Sequence, residues 1–335
     1  MGFRVAIVFN RRMTEAAEAK IYKDRPQYKG QTIARVQSAL NSAGHQTVLY
    51  DATRYLMGAL EDFTPDIVFN LATGIEGKAS QSYVPALLEV MNIPYTGSGP
   101  LAHGIALDKG ITKKILAHDG VRTPEFILVR KDPAEMTGSL SESLPLRFPV
   151  IVKPAREGSS RGITSESIVN TVDELVSRIR RVLHELQQPV IVEEFIAGRE
   201  FTVGVMGNEK PYTLPILEIG LELPHDGRES AYTYDVKAKF GYTRGCKCPA
   251  DLSEAEASAI RNAALKTYAA LGCRDYARVD IILGADGLPY VLELNSLPGL
   301  FVEYSAFPVM SKAVGMTFEG LALKILDYAA ERYNL

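Results

Sequence analysis

The stretch "ARVDIILGADGLPYVLELN" (277–295) sets one arginine, two acids and an amide, Arg278, Asp280, Glu293 and Asn295, among apolar residues. Two β-rich runs joined through "GADG" read as a β-hairpin. With Ala285 and Asp286 at the loop tip, paired positions sum to 571, so Arg278 faces Glu293 and Asp280 faces Val291. Alternation then places the four polar residues on one face and Val279, Ile281, Leu283, Leu292 and Leu294 on the other. Two carboxylates offset by a single arginine are costly to strip of water, so the polar face is expected to line a cleft. Carboxylate and amide oxygens set side by side are the hard ligands Mg²⁺ takes, commonly beside substrate phosphates. The competing reading is a surface ion pair of Arg278 with Asp280 or Glu293.

Two other stretches suit a phosphate-bearing ligand. "PVIVKPAREGSSRGIT" (149–164) is an apolar strand ending in Lys153, followed by the Gly/Ser-rich turn "EGSSRG". A lysine at a strand end is a point charge for phosphate, and backbone N–H groups of such a turn can meet oxygen anions. The spacing is not that of a P-loop. "QPVIVEEFIAGREFTV" (188–203) runs a buried strand into Glu193 and Glu194, then Phe195 and Ile196, with Glu200 after the turn. That set suits an adenosine: an acid and backbone groups for the amine, apolar side chains for the ring faces, an acid for ribose hydroxyls. Taken alone, the same stretch reads as a solvent-exposed acidic strand end.

These residues need a scaffold, and the apolar periodicity supplies one. The first hundred positions alternate strands (3–9, 46–50, 66–70) with helices carrying Ile33, Val36 and Leu40, then Val84, Leu87, Leu88 and Met91. That order implies a parallel sheet faced by helices. No G-x-G-x-x-G follows the first strand, and "TGSGPLAHG" (96–104) reads as a joining loop. Strands at 125–129, 149–153 and 190–194 form a second unit, with 132–147 as a surface connection and a helix opened by a Thr171/Glu174 capping box. A third unit combines strands at 200–206, 277–283 and 288–294 with a helix at 254–271, opened by a Ser253/Glu256 box, and a last helix carrying Phe318, Leu321 and Ile325.

With 335 residues the chain needs more than one core, and the expected division is 1–107, 108–197 and 198–335. Its 37 basic and 40 acidic residues leave a net charge of −3, which gives no pull toward nucleic acid or anionic membrane. There is no signal peptide or membrane-length apolar run, so the expected location is cytoplasmic. Three cysteines, Cys246, Cys248 and Cys273, are too few and oddly spaced for a disulfide framework or a zinc site.

Taken together, "PYTGSG" with "LDKGITK" (94–114), "VIVKPAREGSSRG", "VEEFIAGREFTV", "YDVKAKF" with "CPADL" (234–252) and "ARVDIILGADGLPYVLELNSLPGL" resemble the ATP-grasp enzymes, most closely the D-alanine–D-alanine ligase family. The resemblance spans Pro94 to Leu300 and implies a three-domain α/β ATP-grasp fold, with nucleotide held between the central and C-terminal domains. It implies that Lys109 and Lys153 contact ATP phosphates, that Glu193, Glu194, Phe195 and Ile196 hold adenine, and that Glu200 holds the ribose. Lys237 is the implied further phosphate ligand, with Lys239 as its competitor, because one extra residue separates Lys237 from "CPA". Asp280, Glu293 and Asn295 would bind two Mg²⁺ ions, or Mn²⁺. Arg278 and Gly299 would stabilise the intermediate's negative oxygen, Ser159 would lie on the lid loop, and Ser305 and Leu300 would meet the substrate. The implied chemistry is carboxylate–amine ligation through an acyl phosphate. Expected partners are amino-acid or carboxylic-acid substrates, with no nucleic acid or membrane and with a homodimer as the candidate assembly.

The amino-terminal motifs depart from that family. In place of H-G-x-x-G-E-D-G the chain reads "NLATGIEGKASQSYVPALLE" (70–89), and Gln27 falls where an ammonium-binding acid is expected. Lys78 and Gln81 are candidates for a replacement pocket, with an exposed helix start as the alternative. The same reaction on another donor or acceptor is therefore expected, against D-alanine itself, a bicarbonate-activating relative, or an ATP-binding regulator without catalysis.

Overall fold

The computed structural model describes residues 2–10, 28–73, 80–135, 145–157, 162–220, 245–302 and 304–335. Its first sheet is parallel and is built from β1 (Arg4–Phe9), β2 (Gln46–Asp51) and β3 (Ile67–Asn70) in the order β2-β1-β3. Helix α1 (Tyr28–Ser42) buries Ile33, Val36 and Leu40 against Val5, Ile7, Ile67 and Phe69. On the other face α2 (Leu56–Phe63) and α3 (Tyr83–Val90) pack Leu56, Leu60, Val84 and Leu88 on Ala6, Val8 and Val68.

The stretch "TGSGPLAHG" is a loop only as far as Gly99. Extended Gly99 precedes α4 (Pro100–Leu107), with Pro at the first helical position, where its missing N–H is no loss. Asp108 is extended again and restarts the chain as the N-cap of α5 (Lys109–His118), accepting from Ile111 N at 3.1 Å.

The second sheet is antiparallel: β4 (Phe126–Val129), β5 (Val150–Pro154), β6 (Ile168–Val169) and β7 (Val190–Glu194), ordered β4-β7-β5-β6. Val150, Val152, Val190 and Val192 pack on Leu175, Ile179 and Val182 of α6 (Val172–Leu186). Alternation therefore turns Ile151, Lys153, Ile191 and Glu193 to the opposite face. The capping box expected at α6 is half formed. Thr171 accepts from Glu174 N, but the Glu174 carboxylate reaches back one residue further, to Asn170 N at 2.8 Å.

The third sheet has six strands: β8 (Gly198–Met206), β9 (Tyr212–Thr213), β10 (Leu217–Ile219), β11 (Cys246–Lys247), β12 (Tyr276–Gly284) and β13 (Pro289–Asn295). They run in the order β11-β10-β8-β12-β13, with β9 on β8. Helix α7 (Glu254–Ala270), whose Ser253/Glu256 box is complete, covers Phe201, Val203, Val205, Val279, Ile281 and Leu283. Each such buried side chain contributes about 1.5–3 kcal/mol. Helices α8 (Ala306–Ala313) and α9 (Phe318–Tyr333) join Met206, Leu217 and Ile219 to the α1 side of the first sheet in one core. Cys246, Cys248 and Cys273 form no disulfide with one another. No helix among the described residues is long and apolar enough to cross a membrane.

The register of the β12–β13 hairpin differs from the sequence expectation. Gly287, at φ 73°, lengthens the turn by one residue, and Leu283 pairs with Pro289. A second irregularity between Asp280 and Ile281 brings Asp280 opposite Glu293 and Arg278 opposite Asn295. One such slip would turn the polar residues to the other face; two restore it. The bulge also exchanges Leu292 for Val291 on the apolar side, so Val291 and Leu294 are the β13 residues in the α7 core.

Candidate active site between the second and third sheets

The acids of the hairpin are held by a dense set of donors. Arg278 grips Asp280 through two parallel hydrogen bonds, Nε to Oδ1 at 2.9 Å and Nη2 to Oδ2 at 2.8 Å. Thr202 of β8 donates to Oδ1 at 2.6 Å, and the Asn295 amide donates to Oδ2 at 3.2 Å. Arg278 and Asp280 are each only 6% exposed, so the expected pair exists but is not a surface pair. The expectation that one arginine alone offsets both acids is corrected by Lys109, whose Nζ lies 3.0 Å from Glu293 Oε2.

Lys109 is fixed from three sides. Its N–H bonds Ala155 O at 3.0 Å, and its ammonium donates to Glu157 O at 2.6 Å. Asp108, immediately before it, pairs with Arg156 at 2.8 Å. The beginning of α5 is thereby sewn to the chain that leaves β5, and Lys109 carries that attachment across to β13.

One turn later on α5, Lys113 is fully buried. It donates to Thr123 Oγ1 at 2.6 Å and lies 3.3 Å from Glu193 Oε1, while Lys153 Nζ lies 2.9 Å from Glu193 Oε2. Glu193 and Lys153 are diagonal neighbours, because Ile151 is the residue opposite Glu193. Burial pushes the Glu193 carboxyl upward, but Lys113 and then Lys153 outweigh it and hold it below the usual range. Burial lowers the Lys113 ammonium to about 8 against the opposing pull of Glu193. Lys113 and Thr202 are not among the residues singled out from the sequence. Lys113 shows itself by helical spacing from Lys109 in "LDKGITK", and Thr202 by alternation with Glu200 on β8.

The other expected site residues fall as follows. The Glu194 and Phe195 N–H groups are committed to Glu125 O and Pro149 O, each at 3.0 Å, and the Glu194 carboxylate accepts from Arg147 N at 2.9 Å. Ile196 follows directly, and Glu200 lies two residues before Thr202 on the strand face that carries it. Ser305 Oγ accepts from Phe301 N at 3.1 Å beside Gly299. Leu300 is 3% exposed and belongs to the core shared with α8 and α9, so its side chain is packing rather than substrate-facing surface. Behind the site, buried His103 of α4 shares a 2.7 Å hydrogen bond with Ser296, the residue after Asn295. Ser159, Lys237, Lys239, Lys78 and Gln27 lie outside the described residues.

Among the described residues no three His, Cys, Asp or Glu side chains cluster as a ready metal centre. Asp280 and Glu293 stand directly opposite each other across the ladder, with the Asn295 amide on Asp280. Two acids and an amide oxygen suit Mg²⁺ in a site completed by other oxygen ligands.

The chain matches the family described as D-ala D-ala ligase C-terminus over residues 115–327. It is 36% identical to D-alanine–D-alanine ligase of Moorella thermoacetica, over 88% of this chain and 92% of that one. With the ligase of Carboxydothermus hydrogenoformans the identity is 38%, over 88% and 90%. An uncharacterized protein of Sinorhizobium fredii, y4sG, is 36% identical over 98% of both chains. The crystal structure of D-alanine–D-alanine ligase from Bacillus anthracis complexed with ATP overlays with a TM-score of 0.76 at 25% identity, covering 99% of each chain. The fold is therefore ATP-grasp, and this chain, an ATP-dependent ligase, belongs to the D-alanine–D-alanine ligase family.

Proposed function

We propose that this ligase joins the carboxylate of one small substrate to the amine of another, forming a dipeptide or related amide. The observation that supports the reading is the Lys109–Glu293 contact, which joins a phosphate-type lysine to an acid of the hairpin. The division at 1–107, 108–197 and 198–335 enters as part of the proposal, with ATP consumed between the second and third units.

Lys109 and Lys153 supply positive charge to the triphosphate. Glu193, Glu194, Phe195 and Ile196 hold the adenine, and Glu200 takes the ribose hydroxyls. Asp280, Glu293 and Asn295 would hold Mg²⁺, which when bound neutralises phosphate charge and polarises the transferring group. The substrate carboxylate oxygen takes the γ-phosphoryl group and ADP leaves. The incoming amine then forms the C–N bond as the acyl C–O bond breaks, releasing phosphate and one proton. Arg278, held by Asp280, and the backbone at Gly299 face the oxygen that gains charge. No side-chain nucleophile is required. Ser159 and Lys237 complete the nucleotide site in this proposal, and Ser305 the substrate site. Dependence on ATP suits the cytoplasm.

The names of the relatives make D-alanine the first substrate to test, while the altered "NLATGIEGKASQSYVPALLE" segment favours another donor or acceptor. Phosphate release from ATP should be screened with Mg²⁺ and pairs of D- and L-amino acids and small acids, with products identified by mass spectrometry. A new amide formed with stoichiometric phosphate is expected. Nucleotide binding with no release for any pair would instead indicate a regulator.

A further inference from the structure

The buried Glu193 carboxylate has two lysines, and the reading of the nucleotide site uses only one of them. Lys153 is 9% exposed, whereas the Lys113 side chain is sealed at 0%. A sealed ammonium cannot be explained as surface charge, because burying a cation is costly unless a fixed partner compensates.

The partners are fixed. The Thr123 hydroxyl donates its single hydrogen to Val291 O at 2.8 Å, so the oxygen that meets Lys113 at 2.6 Å can only accept. That bond ties the Lys113 ammonium to β13, the strand that carries Glu293 and Asn295. Its ion pair with Glu193 ties it to β7, and Glu193 in turn reaches Lys153 on β5. One ammonium on α5 thus links the second sheet to the third.

We propose that Lys113 is a positioning residue for the nucleotide: it holds Glu193 ionised and oriented so that Lys153 stands where a phosphate meets it. Without Lys113, Glu193 keeps one cation, and Lys153 is drawn fully onto the carboxylate or left beside a neutralised one. Either outcome removes charge that a phosphate would meet. The charge of Lys113 is the largest single influence that favours the ionised Glu193, in agreement with this role.

The inference rests on the ligase reading, and equilibrium binding separates the two. Affinity for a non-hydrolysable ATP analogue with Mg²⁺ should be measured for the unaltered protein, Lys113→Met, Lys153→Met and the double variant, with thermal unfolding as a control. Lys113→Met should weaken nucleotide binding by about tenfold or more, with KM for the amino-acid substrate unmoved. In the Lys153→Met background the same change should matter by less than about twofold, because the effect passes through Lys153. A full tenfold loss there means Lys113 acts on the nucleotide independently, which overturns the proposal. Unchanged affinity in Lys113→Met also overturns it. If the unaltered protein binds no nucleotide, it is the ligase reading that fails. If Lys113→Met does not fold, Thr123→Val decides, since it keeps the buried charge and removes its tether. Weaker nucleotide binding by Thr123→Val supports the positioning role, and unchanged binding refutes it.

Discussion

Lys109 Nζ and Glu293 Oε2 stand 3.0 Å apart, although 184 positions separate them in the chain. The contact draws the start of α5, and through Glu157 the exit of β5, onto the last strand of the third sheet. It also fixes the Glu293 carboxylate beside the beginning of α5.

Glu293→Gln removes the charge and retains an oxygen for the Lys109 hydrogen bond. Turnover should fall by about a hundredfold or more, because the lost charge interaction concerns the transferring phosphoryl group. Folding should lose only about 1 kcal/mol. Phosphate-release rates and thermal unfolding measure the two separately, and a variant retaining most of its activity would contradict a metal role for Glu293.

The hairpin shows how much of this site can be read from the sequence and where reading stops. Alternation places Arg278, Asp280, Glu293 and Asn295 on one face, and they share it. Their partners are another matter, since a glycine in the left-handed region and a bulge each shift register by one, and neither is encoded in hydrophobic period. The strands of the first sheet, and β4, β5 and β7 of the second, are likewise legible because their apolar runs are bounded by clear turns, whereas β6, with two residues, is too short to carry a pattern. Helix α4 is not: "GPLAHGIAL" has two glycines and no polar face, and only Pro100 behind an extended Gly99 marks its beginning. Lys109 was legible by resemblance, but its pairing with Glu293 depends on tertiary packing that no local pattern carries.

Arg278→Met tests the buried fork. Asp280 would keep Thr202 and Asn295 but lose its only ion-pair partner among the described contacts, which should cost about 3–5 kcal/mol. Arg278→Met with Asp280→Asn should recover a substantial part of that stability without recovering activity. Arg278→Lys should remain impaired, because an ammonium cannot form both parallel bonds. Denaturant unfolding of the four proteins decides: a double variant no more stable than Arg278→Met would show that an unpaired Asp280 is not the source of the loss.

His103 predicts an acid-sensitive fold. Burial lowers its imidazole to about 4 from an ordinary 6.5, so the folded chain keeps it neutral while the unfolded chain takes up a proton. The resulting stabilisation is complete above pH 6.5 and is lost as pH falls toward 4, amounting to roughly 3 kcal/mol across that window. His103→Gln should flatten this part of the stability curve. It should also loosen Ser296 and with it Asn295, so Mg²⁺ dependence should shift to higher concentration. Unfolding midpoints between pH 7 and pH 4 supply the check, and identical pH slopes for the two proteins would show that His103 is not the group responsible.

Gly299 and Ser305 supply the sharpest steric test in the site. A Cβ at position 299 would lie 2.9 Å from Ser305 Oγ. That oxygen makes no hydrogen bond to the first turn of α8, although Ser305 occupies its N-cap, and instead accepts from Phe301 N. Gly299→Ala must therefore displace the oxygen and break one bond of the loop between Gly299 and α8, leaving the backbone bond from Ser305 N to Phe301 O at 2.8 Å. Overpacking of this kind costs about 1–3 kcal/mol. Ser305→Ala removes the obstacle along with the acceptor, so Gly299→Ala should be milder in that background than alone. Activity should behave differently, because both changes disturb the backbone proposed to face the reacting carboxylate, and the double variant should stay impaired. A Gly299→Ala protein as stable and as active as the unaltered chain would mean that Ser305 turns aside freely, and that the close approach places no constraint on the loop.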